Sequence, residues 1–184
     1  MYIGFECFGK GSDDAIVNSI LDRSITGEYT NNTVTSIQTI ALGYCNNLTT
    51  VNLNSVKILG TGAFNNCKKL ENVNIPNLQT CGMSSFAYCY ALTKLDFCCV
   101  KQIAPNCFQQ CTSLNILIIR TNSVCSLGNL NAFTDTPISA GTGYIYVPNA
   151  LLEDYKTATN WVTYSDQFRA IEDYPDICGD NGND

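Results

Sequence analysis

The chain contains no histidine. That excludes Ser-His-Asp triads, Cys-His nucleophile pairs and histidine metal sites. It also has no apolar run near the roughly 20 residues that cross a bilayer, so no membrane insertion is expected. Charged residues make up only 14% of the 184, against 45% apolar, the balance of a globular chain rather than a disordered one. No glycine-rich phosphate loop is present, and no basic and aromatic residues interleave, which argues against nucleic acid as a partner. Met1 to Lys10 has no basic flank followed by a sustained apolar stretch, so no secretory signal is expected there.

Cysteine, by contrast, is abundant: eleven residues, an odd number. Cys45, Cys67, Cys89 and Cys111 stand 22 residues apart, and other columns travel with them. Leu48, Leu70, Leu92 and Leu114 follow each cysteine by three positions, then come Val51, Val73, Leu95 and Leu117, and then Leu53, Ile75, Phe97 and Ile119. Leu42, Phe64, Phe86 and Phe108 precede each cysteine by three. Self-similarity at a period of twenty-odd residues predicts a solenoid, a binding surface more than a pocket for chemistry. Cysteines at repeat positions, without a signal peptide, read as buried free thiols rather than a disulfide framework.

Within each coil, Val51-Asn52-Leu53, Val73-Asn74-Ile75 and Leu95-Asp96-Phe97 alternate as short strands, which stacking joins into a parallel ladder. A second extended stretch is expected around Val56, Leu78 and Val100, with Gly60 and Gly82 allowing the turn after it and a single helical turn before each cysteine. Val34 and Ile37 mark a degenerate first coil. Ser12, Asp13 and Asp14 start a helix with Ile16, Val17, Ile20 and Leu21 on one face, the candidate lid over the first coil. After Ile119 the register breaks. A strand at Tyr144–Val147, a turn at Pro148 and a helix from Asn149, with Trp161, Tyr164, Phe168 and Ile171 as bulk, form the candidate C-terminal cap. The expected organisation is thus an α/β solenoid: an N-terminal segment and capping helix over 1–33, repeats over 34–135, a strand-helix cap over 136–175 and an acidic flexible tail over 176–184.

Other chemistry is weakly represented. Cys98-Cys99 and Cys107-x-x-x-Cys111 lack a second pair at zinc spacing, and Asp180 to Asp184 lacks the ligand order of a calcium loop, so no metal site is expected. The acidic pairs Asp13-Asp14, Glu153-Asp154 and Glu172-Asp173 fall at helix starts or outside the repeats, not across a cleft as glycoside hydrolysis requires. No catalytic residue, enzyme activity or cofactor is expected. The net charge of -6 is uneven. Residues 37–130 hold Lys57, Lys68, Lys69, Lys94, Lys101 and Arg120 against Glu71 and Asp96, whereas residues 131–184 hold nine acids against Lys156 and Arg169.

Ala63-Phe64-Asn65-Asn66-Cys67, followed by Leu70, Val73 and Ile75-Pro76, resembles the BspA-like leucine-rich repeat, whose unit reads Ala-Phe-x-x-Cys-x-x-Leu-x-x-Val-x-Ile-Pro. The likeness covers roughly 34–135, with Ser85 and Cys107 in place of the alanine. Tyr144 to Trp161 looks like the module that closes such arrays. The resemblance implies binding of protein through the repeat surface; members include bacterial surface adhesins and proteins of gut bacteria and their phages. The candidate binding face is the outward column of the ladder: Thr50, Asn52, Asn72, Asn74, Lys94, Asp96, Ile116 and Ile118. The two isoleucines either lie under the C-terminal module or form an exposed apolar patch. Unpaired thiols without an export signal favour a virion component of a phage (fibre, baseplate or decoration protein), with a homo-oligomer as one arrangement. The alternative is an adhesin at the bacterial cell surface.

Overall fold

The computed structural model describes residues 22–179, so the expected helix after Ser12 and the last five tail residues lie outside the described residues. Successive coils each contribute one longer and one short strand: β1 (Thr26–Thr30) and β2 (Ser36–Ile37), β3 (Asn47–Asn52) and β4 (Ile58–Leu59), β5 (Asn72–Asn74) and β6 (Thr80–Cys81), β7 (Lys94–Phe97) and β8 (Gln102–Ile103), β9 (Ile116–Ile119) and β10 (Ser126–Leu127). β11 (Tyr144–Val147) and β12 (Phe168–Ala170) continue the row of longer strands. All pairings are parallel. Thr50 sits beside Asn72, Ile58 beside Thr80 and Lys94 beside Ile116, so residues 22 apart are neighbours in space. The short strands form one continuous sheet, β2-β4-β6-β8-β10, whereas the long row divides into β1-β3-β5 and β7-β9-β11-β12.

The third side of the solenoid is a ladder of turns. A single helical turn was expected here; instead two residues per turn are left-handed. Ile40, Gly62, Ser84 and Asn106 have φ of 52° to 63°, and Tyr44, Asn66, Tyr88 and Gln110 have φ of 60° to 63°. This alternation swings backbone groups sideways, so each turn bonds to the next coil as well as to itself. The N–H groups of Gly62, Phe64 and Asn66 donate to the carbonyls of Met83, Ser85 and Ala87 at 2.7–2.8 Å. The turns donate forward, and among the described residues no turn precedes the first one to donate to its carbonyls. Arg23 fills that place, its guanidinium donating to the carbonyls of Ala41 (2.7 Å) and Ile40 (3.3 Å).

Backbone contact on three sides brings the coils very close, and this corrects the role of Gly60 and Gly82. Neither adopts a positive φ. A Cβ on Gly82 would lie 2.4 Å from the Leu59 carbonyl oxygen, so it is the approach of the preceding coil that demands glycine.

Inside, Phe64, Phe86, Phe108 and Phe133 stack with centroids 5.2–6.0 Å apart, and Trp161 ends the column 6.0 Å beyond. The thiol column beside them is fully buried and free. Its sulfurs donate to carbonyls of the preceding coil: Cys67 to Leu42 (3.0 Å), Cys89 to Phe64 (3.2 Å) and Cys111 to Phe86 (3.0 Å). The carbonyls of Phe64 and Phe86 already accept the N–H of the residue three positions on, so the thiol takes up their second lone pair. A small side chain with a weak donor suits this place; alanine fills it less and cannot donate.

The last coil is closed by aromatic side chains that bond its backbone. Tyr155 accepts the Cys125 N–H at 2.9 Å, Trp161 Nε1 donates to the Cys125 carbonyl at 2.6 Å, and Tyr164 donates to the Leu130 carbonyl at 2.5 Å. These rings lie around the helix Leu152–Thr157 and pack on Phe133 and Phe168.

Burial pushes the thiols of Cys67, Cys89 and Cys107 well up, and that of Cys125 up to about 12. Below the unfolded thiol's pKa of about 8.5 both states are protonated and these groups add no pH dependence. Above it the unfolded chain loses protons that the native chain keeps, and each buried thiol lowers stability by about 1.4 kcal/mol per pH unit. Denaturation in the presence of reductant will therefore show a plateau near pH 6–8 and a steep fall through pH 9–11, shallower in Cys67→Ala. A Trp161→Phe substitution leaves the Cys125 carbonyl unbonded and will cost about 2 kcal/mol, read as a fall in Tm of about 4–8 °C.

Candidate functional site

The expected binding column lies on the outward side of the long strands, where alternate residues point away from the core. The structure divides it in two. On β3 and β5, Asn72 and Asn74 are exposed and Thr50 and Asn52 half-buried, with nothing from the described chain laid over them. Their side chains are linked coil to coil: Asn74 Nδ2 donates to Asn52 Oδ1 (3.4 Å), Asn52 Nδ2 to Glu28 Oε1 (2.8 Å), and Asn72 Nδ2 to Thr50 Oγ1 (3.4 Å). Thr30 also donates to Glu28 at 2.5 Å, and these two donors hold the Glu28 carboxyl below its ordinary pKa. The amide ladder thus ends on a carboxylate.

On β7 and β9 the column is occupied from within. Lys94 Nζ donates to the Ile177 carbonyl at 2.7 Å. Asp96 is held by both Arg120 Nε (2.9 Å) and Nη2 (2.8 Å), and Arg120 also donates to the Cys178 carbonyl. The hydrogen-bonded Asp96 carboxylate raises the Arg120 pKa above its ordinary value. Ile118 is 0% exposed, buried with Tyr146, Ile171 and Cys178, and Ile116 is half-buried against the same cluster beside Tyr144 and Ile177. Of the two readings of these isoleucines, the exposed patch is therefore corrected: segment 171–179 lies over them, because an apolar pair at the surface is better placed under Ile171, Tyr174 and Ile177. Four of the eight column residues, Thr50, Asn52, Asn72 and Asn74, remain on an open face.

Glu28 and Thr30 join that face from β1 and were missed from the sequence. The signal was there, since they stand 22 positions before Thr50 and Asn52, but Thr26–Thr30 carries a single inward apolar residue, Tyr29, and does not stand out as a strand.

Hydrogen-bond donors and acceptors on rigid strands can recognise a partner but cannot carry out acid-base or nucleophilic chemistry without a positioned acid, base or thiolate. Cys98 is exposed and Cys99 half-exposed in a shallow cleft with Gln79, Lys101 and Arg120, and burial raises the Cys98 pKa, which disfavours a reactive thiolate. Among the described residues no three potential ligands gather into a metal site, and no helix is long and apolar enough to cross a membrane.

Comparison with known proteins matches the BspA-type leucine-rich repeat region over residues 35–143, in six copies. A solved structure, that of a leucine-rich cell surface protein from Faecalibacterium prausnitzii, is similar at 25% identity with a TM-score of 0.55. The match covers 65% of this chain but only 31% of that one, so this chain spans a minor part of its length. No curated protein matches the chain.

The divided face has a measurable consequence. Ile118→Ala will destabilise by about 2–4 kcal/mol, as removal of a buried aliphatic side chain does, whereas Asn74→Lys will stay within about 0.5 kcal/mol. Urea denaturation of both variants checks this.

Proposed function

The chain belongs to the BspA-type leucine-rich repeat family, and we propose that it is a recognition module of the bacterial cell surface, binding protein through the open face of β1, β3 and β5. The observation that carries this reading is the division of the ladder. Its apolar coils are covered by the chain's own C-terminal segment, while Glu28, Thr30, Thr50, Asn52, Asn72 and Asn74 stay accessible and polar. Asparagine both donates and accepts, which suits recognition of another chain's peptide groups and polar side chains. The strands hold these groups at a spacing of about 4.8 Å, so little order is lost on binding.

Three coils and a six-residue strand give a patch of roughly 10 by 20 Å, well below the approximately 800 Å² per partner of a standard interface. One module therefore binds weakly, and attachment relies on several modules acting together. The solved relative is a cell surface protein, which supports this placement over the virion component (fibre, baseplate or decoration protein); nothing in the comparisons supports the latter.

Beads coated with many copies of the chain test the reading against intact host and neighbouring bacterial cells. Adhesion is expected on untreated cells, with loss after protease shaving of the cells and at least a tenfold reduction in Asn72→Lys/Asn74→Lys. Adhesion indifferent to the double substitution would overturn the assigned face. Recovery of the native protein from purified phage particles, and not from cell envelopes, would overturn the surface placement.

A further inference from the structure

We propose that Cys81 and Cys107 are a modification site: they form a disulfide that staples the third coil to the fourth when the chain folds in an oxidising compartment. The two sulfurs lie 3.2 Å apart across the coil boundary, 26 residues apart in sequence, with no exposed surface on either residue. Carbon atoms in contact prefer about 3.5–4.0 Å, and sulfur is larger. The two thiols are therefore already inside ordinary contact distance, and about 1.2 Å of approach brings them to a disulfide's S–S length. Ser85, itself fully buried, places its Oγ 3.5 Å from Cys81 and 3.2 Å from Cys107 and closes the third side.

The repeat columns show that this pair is a local departure. Cys81 takes the place held by Leu59 in the coil before and Ile103 in the coil after, and Cys107 that held by Ala41, Ala63 and Ser85. One site gives up volume and its neighbour takes it up, with a sulfur on each side. The thiols of Cys67, Cys89 and Cys111 instead donate to main-chain carbonyls of the preceding coil.

The oxidant is a low-molecular-weight disulfide. One protein thiolate attacks it, forming a mixed disulfide and expelling a small thiolate; the second protein thiolate attacks the protein sulfur and expels the other. Two electrons pass to the small disulfide, which leaves as two thiols carrying the two protons. Because both sulfurs are sealed in the folded solenoid, the bond forms while these coils are still open. The occurrence of the staple in the cell rests on the surface placement proposed above; its formation in vitro does not, and the experiment separates the two.

Reduced, unfolded chain is refolded in a mixture of oxidised and reduced glutathione, unfolded again with an alkylating reagent, and mapped by mass spectrometry. Trypsin places Cys81 with Cys89 in one peptide, 70–94, and Cys107 with Cys111 in another, 102–120, and fragmentation of the linked pair assigns the bond. The expected product has lost two hydrogens and carries Cys81–Cys107, with a Tm roughly 5–15 °C above the reduced chain. The shift is expected to vanish in Cys81→Val/Cys107→Ala, which restores residue types like those of neighbouring coils. Full alkylation of both cysteines, a bond between Cys89 and Cys111, or a Tm shift that survives in the double variant would overturn the proposal. The map of the unsubstituted chain decides it even where the variant does not fold.

Discussion

Each described coil is tied to the next by main-chain hydrogen bonds along its short strands and turns, and along its long strands everywhere except between β5 and β7, and the rest of the structure follows from that spacing. Parallel strands stand about 4.8 Å apart, and the turn ladder imposes the same approach on segments that are not strands. Side chains that stack within such a repeat are flat, small or able to interlock with the identical side chain above. Phenylalanine meets this by ring stacking, and the thiol column by slipping a small donor beneath a carbonyl. Where backbone meets backbone most closely, at Gly82, even a Cβ is excluded.

A stacked array has no natural end, because each coil presents unbonded main chain and open core to the next. The first and last described coils meet this with side chains. Arg23 supplies donors to the first turn's carbonyls, and Tyr155, Asn160, Trp161 and Tyr164 bond the main chain of the last short-strand coil. The C-terminal segment then folds back along the long-strand face, held by carbonyls of Ile177 and Cys178 on Lys94 and Arg120. The open polar face is thus what remains once the chain has covered its own apolar coils.

Much of this was legible in the sequence because repetition multiplies a weak signal. No single Leu-x-x-Val-x-Leu names a strand, but four in register place the parallel strands, the buried cysteines and the aromatic column. What repetition does not carry was missed. The left-handed residues of the turns are Ile40, Tyr44 and Tyr88 as readily as Gly62 or Asn66, so residue type conceals the conformation. The role of Gly60 and Gly82 depends on a neighbouring coil and not on local φ. The cover over Ile118 comes from a segment more than 50 residues away, and only the apolar turn of the column at Ile116 and Ile118 hinted at it. Thr50, Asn52, Asn72 and Asn74 stay uncovered among the described residues, and their polarity is itself the sign of an uncovered strand.

Unpaired thiols in the repeat column are at odds with a cell surface, where thiols meet oxidants, and taken alone they favour a protein made in a reducing cytoplasm. The packing removes that conflict. A thiol reacts as its thiolate, and in the repeat column that form is opposed by burial and by a hydrogen bond already committed to a main-chain carbonyl. Kept neutral and out of reach, such sulfurs behave as core side chains in either compartment. The same spacing that selects cysteine for the repeat column also makes it inert there, so that column says little about where this solenoid works. Location is better argued from the polar face, which has a use only where a partner can reach it.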